Sequence, residues 1–114
     1  MEQYQIKKVF GHLVETDMTD IDTHSPEECL ALFIILGSFS IPFQMIGHLE
    51  KGEPMVRFYA DIVPSDKEEI EKDIQRLVNE GGCKDILGNK YEEYLKRQEV
   101  LFEEVKMCHQ ESLN

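Results

Sequence analysis

Basic residues are scarce in this chain of 114 residues. Its 12 lysines and arginines stand against 23 aspartates and glutamates, which gives a formal net charge of −11 at pH 7. Nucleic-acid binding depends on basic side chains that neutralise phosphates, so this charge argues against direct binding of nucleic acid. It also disfavours an anionic membrane surface and favours a basic partner, whose approach it would steer.

Motifs that hold cofactors or build common active sites are missing. The chain contains no C-x-x-C pair, no H-E-x-x-H pair and no glycine-rich phosphate-binding loop. The cysteines Cys29, Cys83 and Cys108 are odd in number and widely spaced, so we interpret them as reduced and mostly buried. The sequence therefore predicts no catalytic residues and no cofactor, and it indicates a protein that is not a self-sufficient enzyme.

Long apolar runs are also few. The N-terminus lacks the apolar core of a secretory signal. Residues 29–49 carry no formal charge over a length close to the roughly 20 residues of a membrane-spanning helix, but glycines, serines, a proline and a glutamine interrupt them. We interpret this segment as a buried helix followed by a strand, and we expect a cytoplasmic protein without a membrane segment.

The composition is otherwise that of a folded domain. Hydrophobic residues make up 41% of the chain and charged residues 31%, which argues against intrinsic disorder. A chain of this length can bury a core without disulfide bonds. One domain over residues 1–114 is the expectation.

Three stretches carry helical patterns. Residues 25–28 (Ser-Pro-Glu-Glu) form a capping box with proline at the first helical position, which predicts a helix start at Pro26. The second stretch follows the same serine-to-glutamate spacing and ends at a Gly-Gly pair, and the third keeps a three-four spacing of tyrosines and apolar residues. The predicted helices cover residues 26–37, 66–80 and 89–110.

Alternating apolar and polar residues predict a β-hairpin from Phe43 to Ile62. A two-residue turn at Lys51-Gly52 fixes its register. The resulting pairs are Glu50 with Glu53, His48 with Met55, Ile46 with Arg57, and Gln44 with Tyr59.

This register separates an apolar face of the hairpin from a mixed one. The apolar face carries Phe43, Met45, Gly47 and Leu49 opposite Val56, Phe58, Ala60 and Ile62. A slip of one residue would mix the two faces, so the hydrophobic pattern supports the register. We expect Phe58 and Ile62 to be buried and Arg57 and Asp61 not to be.

Two further strands complete the predicted fold, one within Tyr4 to Val14 and a short one at Cys83 to Leu87. The order is then strand, helix, strand, strand, helix, short strand, helix. This is the ferredoxin-like βαββαβ order with an added C-terminal helix. It predicts an α+β domain whose antiparallel sheet has helices on one face; the alternative is that the last helix covers the other face.

An acidic segment at residues 15–24 is a candidate metal site. It holds four carboxylates and an imidazole, and oxygen ligands suit hard divalent cations. The candidate ligands are Asp17, Asp20, Asp22 and His24. The spacing is not that of an EF-hand, and charge runs of this kind are usually solvated loops.

The second face of the hairpin is a candidate docking surface. Its candidate partner-binding residues are Ile46, His48, Met55, Arg57, Tyr59 and Asp61. With the small size and the acidity, this face favours a protein-interaction module, an inhibitor or immunity-type binder of a basic nuclease or nucleic-acid-binding protein. Homodimerisation through this face or through the C-terminal helix, a ligand-sensing regulatory role of ferredoxin-like type, and divalent-metal binding are the alternatives.

Overall fold

Four strands and four helices follow one another in the computed structural model, which describes residues 3–9 and 12–112 and the side chains of residues 18–108. The strands are β1 (Gln3–Val9), β2 (His12–Thr23), β3 (Phe43–Glu50) and β4 (Glu53–Ala60). The helices are α1 (Pro26–Ser38), α2 (Lys67–Glu80), α3 (Gly82–Leu87) and α4 (Tyr91–Ser112), with 3₁₀ turns at Pro64–Asp66 and Gly88–Lys90. The predicted α+β class is confirmed.

The strands form one antiparallel sheet in the order β1-β2-β4-β3. β1 pairs with the first half of β2, and β4 pairs with its second half, from Thr19 opposite Ala60 to Thr23 opposite Val56. The Thr23 hydroxyl donates a hydrogen bond to the Val56 carbonyl at 2.8 Å, which ties the end of β2 to β4. β4 therefore lies between β2 and β3, which α1 connects.

The ferredoxin-like order is not confirmed. The segment predicted as its first strand is divided between β1 and β2. The segment predicted as its last strand is the helix α3, where Cys83 and Leu87 both pack against the core. These residues are four apart, a helical spacing rather than the alternation of a strand. Gly81, in the left-handed conformation with φ 68°, ends α2 and lets the chain turn directly into α3.

The helix start predicted at Pro26 and the serine half of its capping box are confirmed, whereas the glutamate half is shifted by one residue. The Ser25 hydroxyl accepts a hydrogen bond from the Glu28 amide at 3.2 Å. The Glu28 carboxylate accepts one from the amide of His24, one residue before the cap, at 2.8 Å. The second predicted capping box is wrong, since a 3₁₀ turn precedes α2 and its N-cap, Asp66, makes no side-chain capping bond.

The hairpin of β3 and β4 has the predicted register throughout. Both turn residues have positive φ, 53° at Lys51 and 82° at Gly52. Positive φ at both central residues defines the type I′ turn, whose twist matches that of the flanking strands. The local turn and the hydrophobic alternation therefore specify the same pairing.

The helices pack on the inner face of the sheet, where β4 presents its buried side chains. Phe58 is fully buried, and its ring lies 5.5 Å from that of Phe33 and 5.4 Å from that of Phe43. Ile62 is buried, Arg57 is half-buried and Asp61 is exposed, which confirms the predicted parity of burial.

Met45 departs from the predicted core. It lies on the inner face of β3, yet 38% of its surface is exposed. β3 is the edge strand of the sheet, and Met45 lines an open groove beside α4 rather than the closed core.

The uncharged segment at residues 29–49 forms most of α1 and β3, as predicted. In the part of the chain that the structure describes, no helix has both the length and the apolarity needed to cross a membrane.

Candidate functional site

The outer face of the sheet, the side of β2, β4 and β3 that points away from the helices, carries two rows of side chains. One row runs from Asp22 through Arg57 to Ile46, and the other from Asp20 through Tyr59 to Gln44. The rows alternate with buried residues because successive side chains of a strand point to opposite faces. The outer face therefore holds acidic, basic, aromatic and aliphatic groups in direct succession.

The six predicted partner-binding residues differ in accessibility. Ile46 is 52% exposed, and Arg57 and Tyr59 are half-buried beside it. Asp61 is exposed just beyond the end of β4. Met55 is only 1% exposed, so its side chain has no surface to offer a partner.

His48, paired with Met55 across the hairpin, is half-buried. Its Nε2 atom is buried and meets no hydrogen-bond partner within the described portion of the chain. A buried polar atom without a partner costs free energy. The half-buried His48 also offers a partner less surface than Ile46 does.

The charges of the outer face neutralise one another locally. The Arg57 guanidinium donates to both carboxylate oxygens of Asp22, at 2.6 and 3.2 Å, and lies 3.8 Å from Asp20. Burial would raise the pKa of the Asp22 carboxyl, but the hydrogen bond from Arg57 and its positive charge outweigh burial and hold the pKa below its usual value. The outer face is therefore not the strongly acidic surface that the net charge suggests.

The Asp22–Arg57 pair predicts a pH-dependent contribution to stability. A lowered folded-state pKa stabilises the fold above the unfolded pKa of about 3.9, and the stabilisation disappears as pH falls through the lowered value. We expect Arg57→Gln to lower the free energy of unfolding by about 1 kcal/mol at pH 7. Urea unfolding should show this difference shrinking below about pH 4.

A matched variant controls for loss of a surface cation. Arg76 lies 3.1 Å from Asp73 on exposed helix surface, so Arg76→Gln should change stability by less than about 0.5 kcal/mol. A difference for Arg57→Gln that persists unchanged at low pH would contradict the role assigned to the Asp22 carboxylate.

The predicted metal ligands lie at the end of a strand, not in a loop. Asp20 and Asp22 share one face of β2, where Arg57 pairs with Asp22 and lies 3.8 Å from Asp20, and His24 is exposed just after the strand. The Asp17 side chain lies outside the described residues. Among the side chains that are described, no three metal-ligating groups come together. A guanidinium between two carboxylates occupies the position that a cation would need.

The buried cysteines are poorly suited to nucleophilic chemistry. The Sγ of Cys29 donates to Oε1 of Gln98 at 3.2 Å, a contact that joins α1 to α4. Burial raises the pKa of Cys29 to about 12 and that of Cys83 to about 11, so both remain thiols at neutral pH. All three cysteines are free, and Cys29 and Cys83 are buried while Cys108 is exposed, which confirms the expectation of reduced and mostly buried cysteines.

The apolar stripe predicted for α4 packs against the core of the same chain. Phe102 and Val105 are buried in the core, and Tyr91, Tyr94, Leu95 and Leu101 pack against it. The Tyr91 hydroxyl also donates to the Glu27 carboxylate at 2.7 Å, which ties the start of α4 to the start of α1. The stripe is therefore an internal packing surface and not a free seam for a second helix.

The opposite side of α4 is an acidic surface with an apolar centre. We call it the α4 acidic face. Five glutamates and one lysine line it around Val100 and Met107. These residues are Glu92, Glu93, Lys96, Glu99, Val100, Glu103, Glu104 and Met107. Val100 is 48% exposed and Met107 56% exposed.

Sequence reasoning missed the α4 acidic face, although a signal was present. Glu93, Val100 and Met107 are seven residues apart, close to two helical turns, and so share one side of α4. That side lies opposite the buried residues Gln98, Phe102 and Val105. An apolar pair on the charged side of a helix is a recognisable exception to the pattern.

Comparison with protein-family models, with curated proteins and with solved structures finds no match to this chain.

Proposed function

We propose that this protein is an acidic interaction module that binds a basic protein through the α4 acidic face. A basic nuclease or another nucleic-acid-binding protein has the required chemistry, because its cationic groove is built to accept phosphates. The observation that carries the proposal is the exposed pair Val100 and Met107 within a ring of glutamates.

The two parts of the face have different energetic roles. Exposed apolar side chains at the centre of a docking surface supply burial energy, and methionine adapts its shape to different partners. The glutamates around them steer a basic partner and disfavour an acidic one. Arg97, which lies 3.0 Å from Glu93 and over the ring of Tyr94, borders the face and limits its extent toward α1.

The α4 acidic face suits a basic partner better than the outer face of the sheet does. On the sheet, Arg57 compensates Asp20 and Asp22, and Lys67 lies 4.0 Å from Asp20. On α4, Lys96 lies among the five glutamates and Arg97 pairs with Glu93 at their border, so the glutamates remain in excess. The charge imbalance, and not the number of exposed residues, separates the two surfaces.

Charge reversal on α4 tests the proposal. Proteins retained by the native chain from a cell extract are identified, purified and titrated against it at low and high salt. We expect a basic partner whose affinity falls with salt, and we expect Glu99→Lys/Glu103→Lys to weaken binding by about tenfold or more.

The control variant, Glu69→Lys/Glu71→Lys, makes the same change in net charge on the exposed side of α2. It should bind the partner with nearly the affinity of the native chain if the position of the charge matters. Equal weakening by both variants would show that only net charge acts and would contradict the proposed face. Acidic partners, or binding that is insensitive to salt, would contradict the proposal altogether.

A further inference from the structure

β3 forms an edge of the sheet, and its middle is exposed and uncharged. Gln44, Met45 and Ile46 are exposed in succession, and residues 43–49 contain no formal charge. Edge strands present unpaired backbone groups, and proteins commonly protect them with charged side chains, prolines or bulges. None of these devices interrupts β3 between residues 43 and 49.

The register of the hairpin determines which backbone groups of β3 point away from β4. The two-residue turn makes Glu50 and Glu53 a hydrogen-bonded pair, and such pairs alternate along an antiparallel ladder. The residues bonded toward β4 are therefore Gln44, Ile46, His48 and Glu50. Phe43, Met45, Gly47 and Leu49 direct their amides and carbonyls to the free edge. Pro54, which has no amide hydrogen, is consistent with this assignment. Its partner Leu49 directs its backbone groups to the free edge, so the pair requires no hydrogen bond from residue 54.

We infer that the β3 edges of two copies pair antiparallel about a two-fold axis at Ile46, which joins the two sheets into one. In this register the outward-pointing groups of each strand meet those of the other. The pairs are Phe43 with Leu49, Gln44 with His48, Met45 with Gly47, and Ile46 with Ile46 of the second copy. The inference is independent of the basic partner proposed above.

Two properties of the edge fit a second copy of this chain. The exposed Met45 comes to lie opposite Gly47 of the second copy, next to the apolar Val105 side chain that covers that glycine, and Ile46, 52% exposed, lies against Ile46 of the second copy. Across residues 43–49 no carboxylate opposes another, and Glu50 meets Pro42. The two β3 strands therefore pair without like charges in register, and the α4 groups that line the groove beside Met45 include two glutamates, a lysine and an arginine, so their charges balance.

Amide hydrogen exchange tests the pairing residue by residue. In the dimer, the amides of Met45, Gly47 and Leu49 should be protected, and dilution to the monomer should remove that protection. Those of Gln44, Ile46 and His48 should stay protected in both states, because they bond to β4. Sedimentation should show a species of twice the chain mass of 13.3 kDa.

Two lysine variants separate edge pairing from general effects. Ile46→Lys should weaken dimerisation by about tenfold or more, although it lowers the net negative charge. Val63→Lys, at a residue of similar exposure away from the edge, should leave the dimer intact. Retained protection of the Gln44 and His48 amides shows that Ile46→Lys is folded.

Several results would overturn the inference. A native chain that stays monomeric up to millimolar concentration would do so, as would a dimer in which the Met45, Gly47 and Leu49 amides exchange as in the monomer. A dimer that Ile46→Lys and Val63→Lys weaken equally would place the contact elsewhere.

Discussion

Replacing Phe58 with alanine should lower the free energy of unfolding by about 3 to 5 kcal/mol. The ring is fully buried at the centre of the inner face of the sheet and packs edge-on against Phe33 and beside Phe43. Its removal leaves a cavity that neighbours on α1 and β3 fill only in part. Urea unfolding followed by far-UV circular dichroism measures the change.

Phe39→Ala is the matched control, because it removes the same ring from a site that is 72% exposed. It should change stability by less than about 0.5 kcal/mol. Similar losses for the two variants would mean that Phe58 does not lie at the centre of the core.

Gly47→Ala should destabilise the fold by about 1 to 3 kcal/mol, because α4 packs directly on this glycine. A Cβ added at Gly47 would overlap Cγ2 of Val105. Val105 is 7% exposed and belongs to the core, so it cannot move aside freely. The Ile46→Lys background removes any contribution from dimerisation to the urea unfolding midpoint.

A double variant shows whether the cost arises at this contact. Val105→Ala alone should cost about 2 kcal/mol through lost burial. With the Val105 methyl groups gone, Gly47→Ala should cost much less stability. The double variant should therefore lose less free energy of unfolding than the sum of the two single losses. Strict additivity would contradict the packing of α4 against β3.

The β3–β4 hairpin could be predicted from the sequence because two independent signals agree there. Lys51-Gly52 accepts the positive φ of a type I′ turn, and the alternation on both sides permits one register. α1 was predictable for a similar reason, since its capping box is local chemistry. Where local signals agree in this way, they specify the secondary structure without help from distant contacts.

The segments around β2 and α3 were mispredicted because distant contacts determine them. Asp20 and Asp22 looked like loop residues, but Thr19, Ile21 and Thr23 alternate with them and face the core once β4 pairs with β2. Residues 83–87 are too few for their pattern to distinguish strand from helix, and the packing of Cys83 decides in favour of α3.

The acidic character of the candidate site could be predicted from the sequence, but its position on the surface could not. The net charge of −11 indicated a basic partner, but charge does not say where on the surface the acidity lies. On the sheet, Arg57 of β4 pairs with Asp22 and lies near Asp20, an arrangement that depends on β2 and β4 lying side by side. The larger excess of carboxylates lies on α4, whose orientation is set by the packing of its opposite side.

The association rate with the purified basic partner tests the docking role of the α4 acidic face most directly. Steering by carboxylates around Val100 requires a rate that falls steeply as salt is added, and Glu99→Lys/Glu103→Lys should lower both the rate and its salt dependence. Glu69→Lys/Glu71→Lys should change both much less. Stopped-flow measurements in which the α4 variant associates as fast as the native chain, with the same salt dependence, would contradict the proposed face.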